Sequence, residues 1–336
     1  MRSGKSLIGT LAVFASLTFA TSSAQLLQAV NTTAHMPYPN FWFPHAYDGN
    51  DTIYIGPGFE VPLNQSKSMM KYSISTDTLT VLDVVPWQSG GFSYYDKADG
   101  EVYTVGGSFQ ALPPPIYVWA PDSLTSARVG NISGQSSMSH FAGIYDNNRT
   151  IYTFGGTFQS YKVFTMDTVT HEVSMLGDLP KWLSWNEGFF DGNETAYIFC
   201  NDEYDNPNPG VLAYNIRTNV GTILPGDIPP MNTQPSVAFD GRYAYLFGAG
   251  LYGTEEPADG IYQYDPMAQT STFIQVANFP GSVGRWFSGM GVVYVERLNR
   301  IYYIGGGTGL VNPVFWSNIG YIDLSPINGK KPLVDL

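Results

Sequence analysis

The sequence predicts an all-β protein made of six repeated units, each with four antiparallel strands. A short aromatic and apolar strand that ends in glycine recurs along the chain, as at residues 103–107 and 152–156. The glycine position falls at residues 56, 106, 155, 200, 248 and 305, and Cys200 replaces glycine in the fourth unit. Self-similarity at a nearly fixed period indicates a repeat architecture.

The other three strands of each unit lie around the glycine strand. A strand that ends in Tyr-Asp or a similar pair follows it, as at residues 261–265, and a further strand follows a polar turn. Another strand precedes it across a turn rich in Asn, Asp and Gly, as at residues 47–50 and 239–242. These residues supply the positive φ of tight hairpins. No stretch shows a sustained helical period of apolar residues, so each unit is four strands.

Glycine-pair strands followed by a Tyr-Asp strand resemble kelch repeats over residues 42–326. The resemblance implies a six-bladed kelch-type β-propeller over residues 42–336, with four antiparallel strands per blade around a central channel. Galactose oxidase in its central domain, and secreted kelch proteins, are the relatives it suggests. The chain departs from the pattern at Cys200-Asn201 and at residues 56–58, and it lacks the Trp usual in the outermost kelch strand. A Cβ at the glycines would crowd the neighbouring blade.

The first 24 residues predict a secretory signal peptide. Arg2 and Lys5 precede an apolar run at residues 7–20, and Ser22 and Ala24 occupy the −3 and −1 positions of a cleavage site. We expect cleavage after Ala24 and a secreted, extracellular protein. A transmembrane helix needs about 20 apolar residues, so we expect no membrane span. Residues 25–41 form an N-terminal extension, and either residues 26–30 or residues 331–336 could supply the strand that completes the last blade.

Six Asn-x-Ser/Thr sequons predict a glycoprotein. Their acceptors are Asn31, Asn50, Asn64, Asn131, Asn148 and Asn193. Because no sequon follows Asn193, we expect the last two blades to carry no N-linked glycans. We expect them to offer a protein-docking surface around residues 252–259 and 311–316.

Charge and cysteine content exclude several classes of partner and structure. The chain has 16 basic and 28 acidic residues, and the signal peptide holds two of the basic ones, which leaves the mature chain at −14. Nucleic acids and anionic membrane surfaces attract basic patches, so both are excluded as partners.

Cys200 is the only cysteine, so there is no internal disulfide. We expect a monomer held together by packing, with Cys200 as a buried thiol.

The loops that lead into the innermost strand of each blade predict a ligand site at the channel mouth. They carry Trp together with amide, imidazole and charged side chains. The candidate residues are Trp42, His45, Trp87, Gln88, His140, Trp185, Asn186, Glu187, Gln234, Arg285 and Trp286. An apolar face beside hydrogen-bonding groups suits a glycan or a peptide. The alternative is that the Trp side chains cap the core, because large aromatics are mostly buried.

We therefore expect a secreted module that binds an extracellular protein or glycan, with no catalytic residue, metal or cofactor. The alternative is a carbohydrate-active enzyme at the same mouth. The architecture is similar to that of secreted kelch mutarotases acting on sialic acid, in which Glu187 and Arg285 could supply acid–base help. Copper-radical oxidases also resemble this chain in fold. They need a Tyr–Cys crosslink, a second Tyr and two His, whereas this sequence has no Tyr-His pair.

Overall fold

The computed structural model describes most of the chain after residue 25. The described ranges are 26–60, 64–65, 68–84, 89–107, 113–123, 125–132, 139–156, 161–181, 183–201, 210–224, 235–248, 259–279, 287–308 and 314–330. For a few residues at strand ends, Trp185 and Cys200 among them, the description covers the backbone alone. The predicted signal peptide lies outside these ranges, as do Trp87, Gln88, Gln234, Arg285 and Trp286.

Thirty strands make up almost all of the regular structure in the described residues. The first ten are β1 Leu27–His35, β2 Asn40–Phe41, β3 His45–Tyr47, β4 Thr52–Ile55, β5 Phe59–Glu60, β6 Asn64–Gln65, β7 Ser68–Ser73, β8 Thr78–Val84, β9 Phe92–Asp96 and β10 Glu101–Val105. The next ten are β11 Pro115–Ala120, β12 Thr125–Asn131, β13 Ala142–Tyr145, β14 Thr150–Phe154, β15 Lys162–Asp167, β16 Val173–Asp178, β17 Ser184–Phe190, β18 Thr195–Asn201, β19 Gly210–Asn215 and β20 Val220–Leu224. The last ten are β21 Ser236–Phe239, β22 Ala244–Phe247, β23 Gly260–Asp265, β24 Thr270–Ala277, β25 Phe287–Ser288, β26 Gly291–Val295, β27 Arg300–Ile304, β28 Gly307–Thr308, β29 Val314–Phe315 and β30 Asn318–Asp323.

Two short helical segments lie between or after the last strands. They are a 3₁₀ turn at Glu296–Leu298 and the helix α1 at Ser325–Asn328. Within the described ranges, neither segment nor any other helix has the length and apolar character needed to cross a bilayer.

The strands form a β-propeller arrangement of four-stranded antiparallel sheets. The first sheet has the order β3-β4-β7-β8, the second β9-β10-β11-β12, the third β13-β14-β15-β16 and the fourth β17-β18-β19-β20. The first strand of each sheet is here called its inner strand. Two small three-stranded sheets, β2-β5-β6 and β25-β28-β29, lie in the loops. The all-β class and the propeller arrangement predicted from the sequence are therefore confirmed.

The strands expected for the last two blades do not form two separate sheets. They join in one eight-stranded sheet, in the order β21-β22-β23-β24-β1-β30-β27-β26. Strand β1 pairs antiparallel with β30, where Ala29 faces Ile322, and parallel with β24, where Leu27 faces Val276. The chain thus has four separate four-stranded sheets rather than six, because its first strand links the strands that follow residue 235.

Burial decreases from the middle of each sheet to its outer edge. The second strands β10, β14 and β27 are buried at every residue but the first. The outer strands β12, β16 and β20 are exposed or partly exposed along their length. Neighbouring sheets therefore cover both faces of the central strands, and this explains why the sequence there is a run of aromatic and β-branched residues.

Buried apolar clusters lie between sheets rather than within them. One cluster combines Tyr103 and Val105 of the second sheet with Ile151 and Phe164 of the third. Another joins the start of the fold to its end, since it contains Ile53 and Tyr72 beside strands β27 and β30. The core therefore runs from sheet to sheet and includes a contact between the last strands and the first sheet.

Candidate functional site

A chain of backbone hydrogen bonds links the residues that precede the inner strands. The Trp42 N–H donates to the Gly289 carbonyl at 2.8 Å, and the Gly90 N–H donates to the Trp42 carbonyl at 2.7 Å. The His140 N–H donates to the Gly90 carbonyl at 2.8 Å, and the Asn186 N–H to the His140 carbonyl at 3.3 Å. These residues, here called the ring residues, place the starts of the inner strands next to one another around the axis.

Four of the ring residues share an unusual backbone conformation. Gly90 and Gly289 have φ of 74° and 69°, and Trp42 and His140 adopt the same region with φ of 53° and 54°. A side chain in this region costs on the order of 1–2 kcal/mol. Two bulky side chains are therefore held at positions where the repeat elsewhere uses glycine.

A cavity lies beside the ring residues, at the starts of the inner strands. Its volume is about 60 Å³, which is room for a few water molecules. The residues lining it are Trp42, Phe43, Pro44, His45, Gly90, Gly91, Phe92, Ser93, Glu187, Ser236, Gly289 and Met290. The cavity thus combines side chains from the first, second, fourth and eight-stranded sheets.

Aromatic contacts fix the Trp42 indole at the cavity wall. Its ring meets the His140 imidazole edge-on at 5.0 Å and the Phe59 ring edge-on at 5.8 Å. Phe41 packs against the other side with ring centroids 4.8 Å apart, and Phe315 stacks on Phe41 at 4.4 Å. Trp42 remains partly exposed, whereas His140 is fully buried. The indole is therefore held in place by rings on several sides and remains partly exposed.

The two histidines of this region are neutral at physiological pH. Burial lowers the pKa of His140 to about 3. Burial also lowers the pKa of His45, against the opposing effect of its hydrogen bond to the Val292 carbonyl. That bond joins Nε2 to the carbonyl oxygen at 3.0 Å, and because a carbonyl can only accept, Nε2 carries the proton. A second backbone hydrogen bond, to Phe43, acts on the pKa in the same direction.

The cavity wall carries one carboxylate and no Lys or Arg among its described residues. Glu187 supplies that carboxylate from the fourth sheet. The described wall is therefore mostly apolar and neutral, with a single carboxylate.

Two other predicted site residues of the fourth sheet are placed differently. The Asn186 side chain is fully buried, and its Nδ2 donates to the Phe154 carbonyl of the third sheet at 3.2 Å. Trp185 lies in β17, where its backbone alone is described. Asn186 and His140 therefore act in packing between sheets, while Trp42, His45 and Glu187 line the cavity.

The structure also shows cavity residues that the sequence analysis did not select. Ser93 and Ser236 are buried at the wall, where the Ser236 hydroxyl donates to the Met290 carbonyl at 2.7 Å. Ser93 shares a hydrogen bond with Thr104 at 2.8 Å. Repeat phase could have found Ser93, because it follows Gly90 by the same interval as His45 follows Trp42.

Two residues expected in an exposed apolar loop are packed instead. Phe315 stacks on Phe41, and Trp316 packs against the core of the eight-stranded sheet. Both are partly buried, because the small sheet β25-β28-β29 brings this segment onto the body of the protein. The rest of that expected docking surface, residues 252–258 and 311–313, lies outside the described residues.

Comparison with known proteins leaves the chain without an assigned family. Neither the protein-family models nor the curated proteins contain a match to it.

Within the described ranges, no three side chains of His, Cys, Asp or Glu come together as a metal site would require.

Proposed function

We propose that this chain is a secreted, six-bladed kelch-type propeller that binds an extracellular ligand at the cavity end of its inner strands. Two observations support the count of six. Apolar clusters lie at six successive contacts between groups of strands within the described chain. Ring residues also recur with the repeat, at 42, 90, 140, 186 and 289. The eight-stranded sheet is then two blades, with β1 as the outermost strand of the last one.

The observation that carries the binding function is the Trp42 indole at the cavity wall. Backbone conformations that cost energy persist where the surrounding structure enforces them, and they cluster at functional sites. Trp42 adopts such a conformation, and it lies beside hydrogen-bonding groups of His45, Ser93 and Glu187. An aromatic face with polar groups at its edge suits the apolar face and hydroxyl groups of a sugar ring.

The size of the cavity narrows the ligand class. Sites for whole small molecules usually enclose about 300–1,000 Å³, so this cavity accepts one end group of a larger ligand. We therefore propose an extracellular glycan, with an extracellular protein as the other class of ligand.

A glycan array with neutral, amino-bearing and sialylated oligosaccharides tests this proposal. We expect glycan binding that is lost in Trp42→Asn and in Glu187→Gln. Asn suits the Trp42 backbone because it tolerates positive φ. Phe273→Asn and Glu296→Gln are the matched controls, since both residues are exposed and lie away from the cavity. Glycan binding that survives in both cavity variants would contradict the proposed site.

A second candidate function is a carbohydrate-active enzyme that interconverts the anomers of a sugar. The observation in its favour is that Glu187 and the neutral imidazole of His45 both line the cavity. A carboxylate and an imidazole could move protons at an anomeric centre. An anomerisation assay by NMR on the same variants separates the two functions, because binding alone leaves the exchange rate unchanged.

A further inference from the structure

Three of the six sequons occupy the same hairpin in different sheets. The hairpin between the inner and second strands carries the pattern Asp-x-Asn-x-Thr in the first, third and fourth sheets. Its asparagines are Asn50, Asn148 and Asn193. Asn31, Asn64 and Asn131 lie instead in the strands β1, β6 and β12.

An aspartate fixes each of these hairpins in the same way. One oxygen of Asp146 accepts from the backbone N–H groups of Asn148, Arg149 and Thr150, each at 2.9 Å. Asp48 and Asp191 each accept three such bonds, at 2.7–3.0 Å and 2.8–3.0 Å respectively. In all three hairpins, the aspartate N–H also donates to the threonine carbonyl, at 3.0–3.1 Å. The backbone around each sequon is therefore rigid and alike.

The asparagine side chains of these hairpins remain exposed. Within the described part of the chain, the amides of Asn50, Asn148 and Asn193 make no side-chain hydrogen bond, and all three residues are exposed. In contrast, the side-chain oxygen of Asn31 accepts from the Tyr303 hydroxyl at 3.2 Å, and that of Asn131 accepts from Arg128. The hairpin asparagines thus point their amides to solvent.

These hairpins lie at the end of the sheets opposite the cavity. The inner strands of the first and fourth sheets run from the cavity to their hairpins, as β17 does between Glu187 and Asp191. In the third sheet, β13 starts beside the ring residue His140 and ends at the hairpin of Asn148. Four residues of strand span about 13 Å. The three acceptors therefore share one end of the fold, here called the hairpin end, and the cavity lies at the other.

We propose that Asn50, Asn148 and Asn193 carry N-linked glycans that cover the hairpin end of the fold. In each transfer, the asparagine Nδ2 bonds to the anomeric carbon of an oligosaccharide carried on a lipid pyrophosphate. The bond from that carbon to the pyrophosphate oxygen breaks, the amide loses a proton, and the lipid pyrophosphate leaves. This inference rests on the proposed secretion, because such donors belong to the secretory pathway.

Glycans at this end would restrict where other molecules approach. Glycans are bulky and hydrophilic, so they keep protein surfaces apart. Sugar chains on the first, third and fourth sheets flank the hairpin of the second sheet, where exposed Lys97 places its amine beside Gly49. A ligand or partner would therefore be kept away from the hairpin end of these sheets.

The first experiment measures acceptor occupancy in the full chain secreted by a eukaryotic cell. Enzymatic glycan release in heavy-oxygen water, followed by mass spectrometry, marks each glycosylated asparagine. We expect Asn50, Asn148 and Asn193 to be marked in most molecules. Replacing Thr52, Thr150 and Thr195 with Val removes these sequons while keeping a β-branched residue at each strand start. The matched Ser replacements keep the sequons and should keep the glycans.

The second experiment measures coverage of the hairpin end with a bulky amine-reactive reagent. Lys97 should react several-fold more slowly in the glycosylated protein than in the Val variant. Lys162, which starts β15 at the cavity end, should react equally in both. Equal Lys97 rates in the two proteins would overturn the claim of coverage, and unmodified hairpin asparagines would overturn the proposal altogether.

Expressing the chain behind its own leader and behind a foreign one separates this inference from the proposed function. Hairpin glycans that appear only with the foreign leader support the inference and contradict the proposed secretion. Hairpin glycans without any glycan-array binding support the inference and contradict the proposed ligand. Bare hairpins with both leaders contradict the inference alone, provided that the chain is secreted.

Discussion

The glycine pair of the repeat makes a contact between sheets as well as a turn. Gly155 has φ of 66°, and a Cβ there would lie 2.4 Å from the Leu183 carbonyl of the next sheet. The following N–H, of Gly156, donates to that same carbonyl at 2.8 Å. At the other end of the chain, Gly306 donates to the Asn40 carbonyl at 2.9 Å. The glycine pair therefore lets the backbones of two sheets approach closely and form a hydrogen bond.

Replacing Gly155 with Ala tests this close approach. We expect a loss of about 2–4 kcal/mol in the free energy of unfolding, from the left-handed backbone and from overpacking. Gly192→Ala is the matched control, because Gly192 has φ of 81° and nothing within 4 Å of an added Cβ. The control should lose about 1–2 kcal/mol, from the left-handed backbone alone. Denaturant titration compares the two, and equal losses would show that the carbonyl contact is unimportant.

Acid should destabilise the protein through the buried imidazole of His140. Its folded pKa, about 3, lies below the ordinary value of 6.5, so the unfolded chain binds the extra proton between these values. The stabilisation is complete above pH 6.5 and is lost as the pH falls, at about 1.4 kcal/mol per pH unit. Denaturant titrations from pH 7.5 to 5 should show this slope. His140→Asn should reduce it, and an unchanged slope would contradict the assignment.

Part of the candidate site could be predicted from residue types and repeat phase alone. His45 and Glu187 were selected because they precede or begin inner strands, and both line the cavity. His140 and Asn186 share that position yet are fully buried. Whether such a side chain faces the cavity or the next sheet depends on the local backbone. The pairing of β17 is irregular between Ser184 and Glu187, and no pattern in the sequence predicts that irregularity.

At the scale of elements, strand β1 has an unusual place. It lies between β24 and β30, and its residues alternate between core and solvent: Leu27 and Ala29 are buried, and Gln28 and Val30 are exposed. This alternation is what a strand at the outer edge of two neighbouring sheets requires. The first residues of the described chain thus cover the edge of its last strands.

The contribution of β1 can be measured with a pair of substitutions. Leu27→Ala should lower the free energy of unfolding by about 2–4 kcal/mol, because Leu27 is 1% exposed and packs in the core of the eight-stranded sheet. Val30→Ala, at a side chain that is 37% exposed, should cost under about 0.5 kcal/mol. Similar losses in both variants would mean that β1 is not anchored by its buried face.

Strand identity was predictable from the sequence, whereas the pairing of β1 was not. The first four glycine strands of the repeat are the second strands of their sheets, and β22 and β27 lie second from the two edges of the eight-stranded sheet. Their aromatic and β-branched runs signal local structure directly. The pairing of Leu27 with Val276 joins residues far apart in the chain, and the sequence left two alternatives for the last edge. Residues 331–336, the other alternative, lie outside the description.

At the scale of the whole molecule, contacts join the last strands to the first sheet. Arg297, in the 3₁₀ turn, donates to the Asn50 carbonyl and to the Asp51 carboxylate, both at 2.9 Å. The buried cluster of Ile53 and Tyr72 with β27 and β30 lies at the same contact. The two ends of the chain are therefore held together by both polar and apolar groups, without a disulfide.

A double-mutant cycle measures the polar part of this contact. Arg297→Gln and Asp51→Asn should show a coupling of about 1 kcal/mol, because both side chains are about three-quarters buried, being 22% and 24% exposed. Arg149 and Asp167 form the matched pair, since their ion pair is more exposed and lies within the third sheet. Exposed pairs contribute little, so its coupling should be smaller. An equal or larger coupling for Arg149 and Asp167 would contradict a role in joining the chain ends.

The hydrogen bonds of the ring residues have an electrostatic consequence for the starts of the inner strands. In each described link, the donor is the residue that follows and the acceptor the residue that precedes it in the order of the sheets. Peptide dipoles arranged head to tail in a circle largely cancel, whereas those of an α-helix add along its axis. The backbone of the ring residues therefore contributes little net field there, unlike the N-terminus of a helix with as many peptide groups.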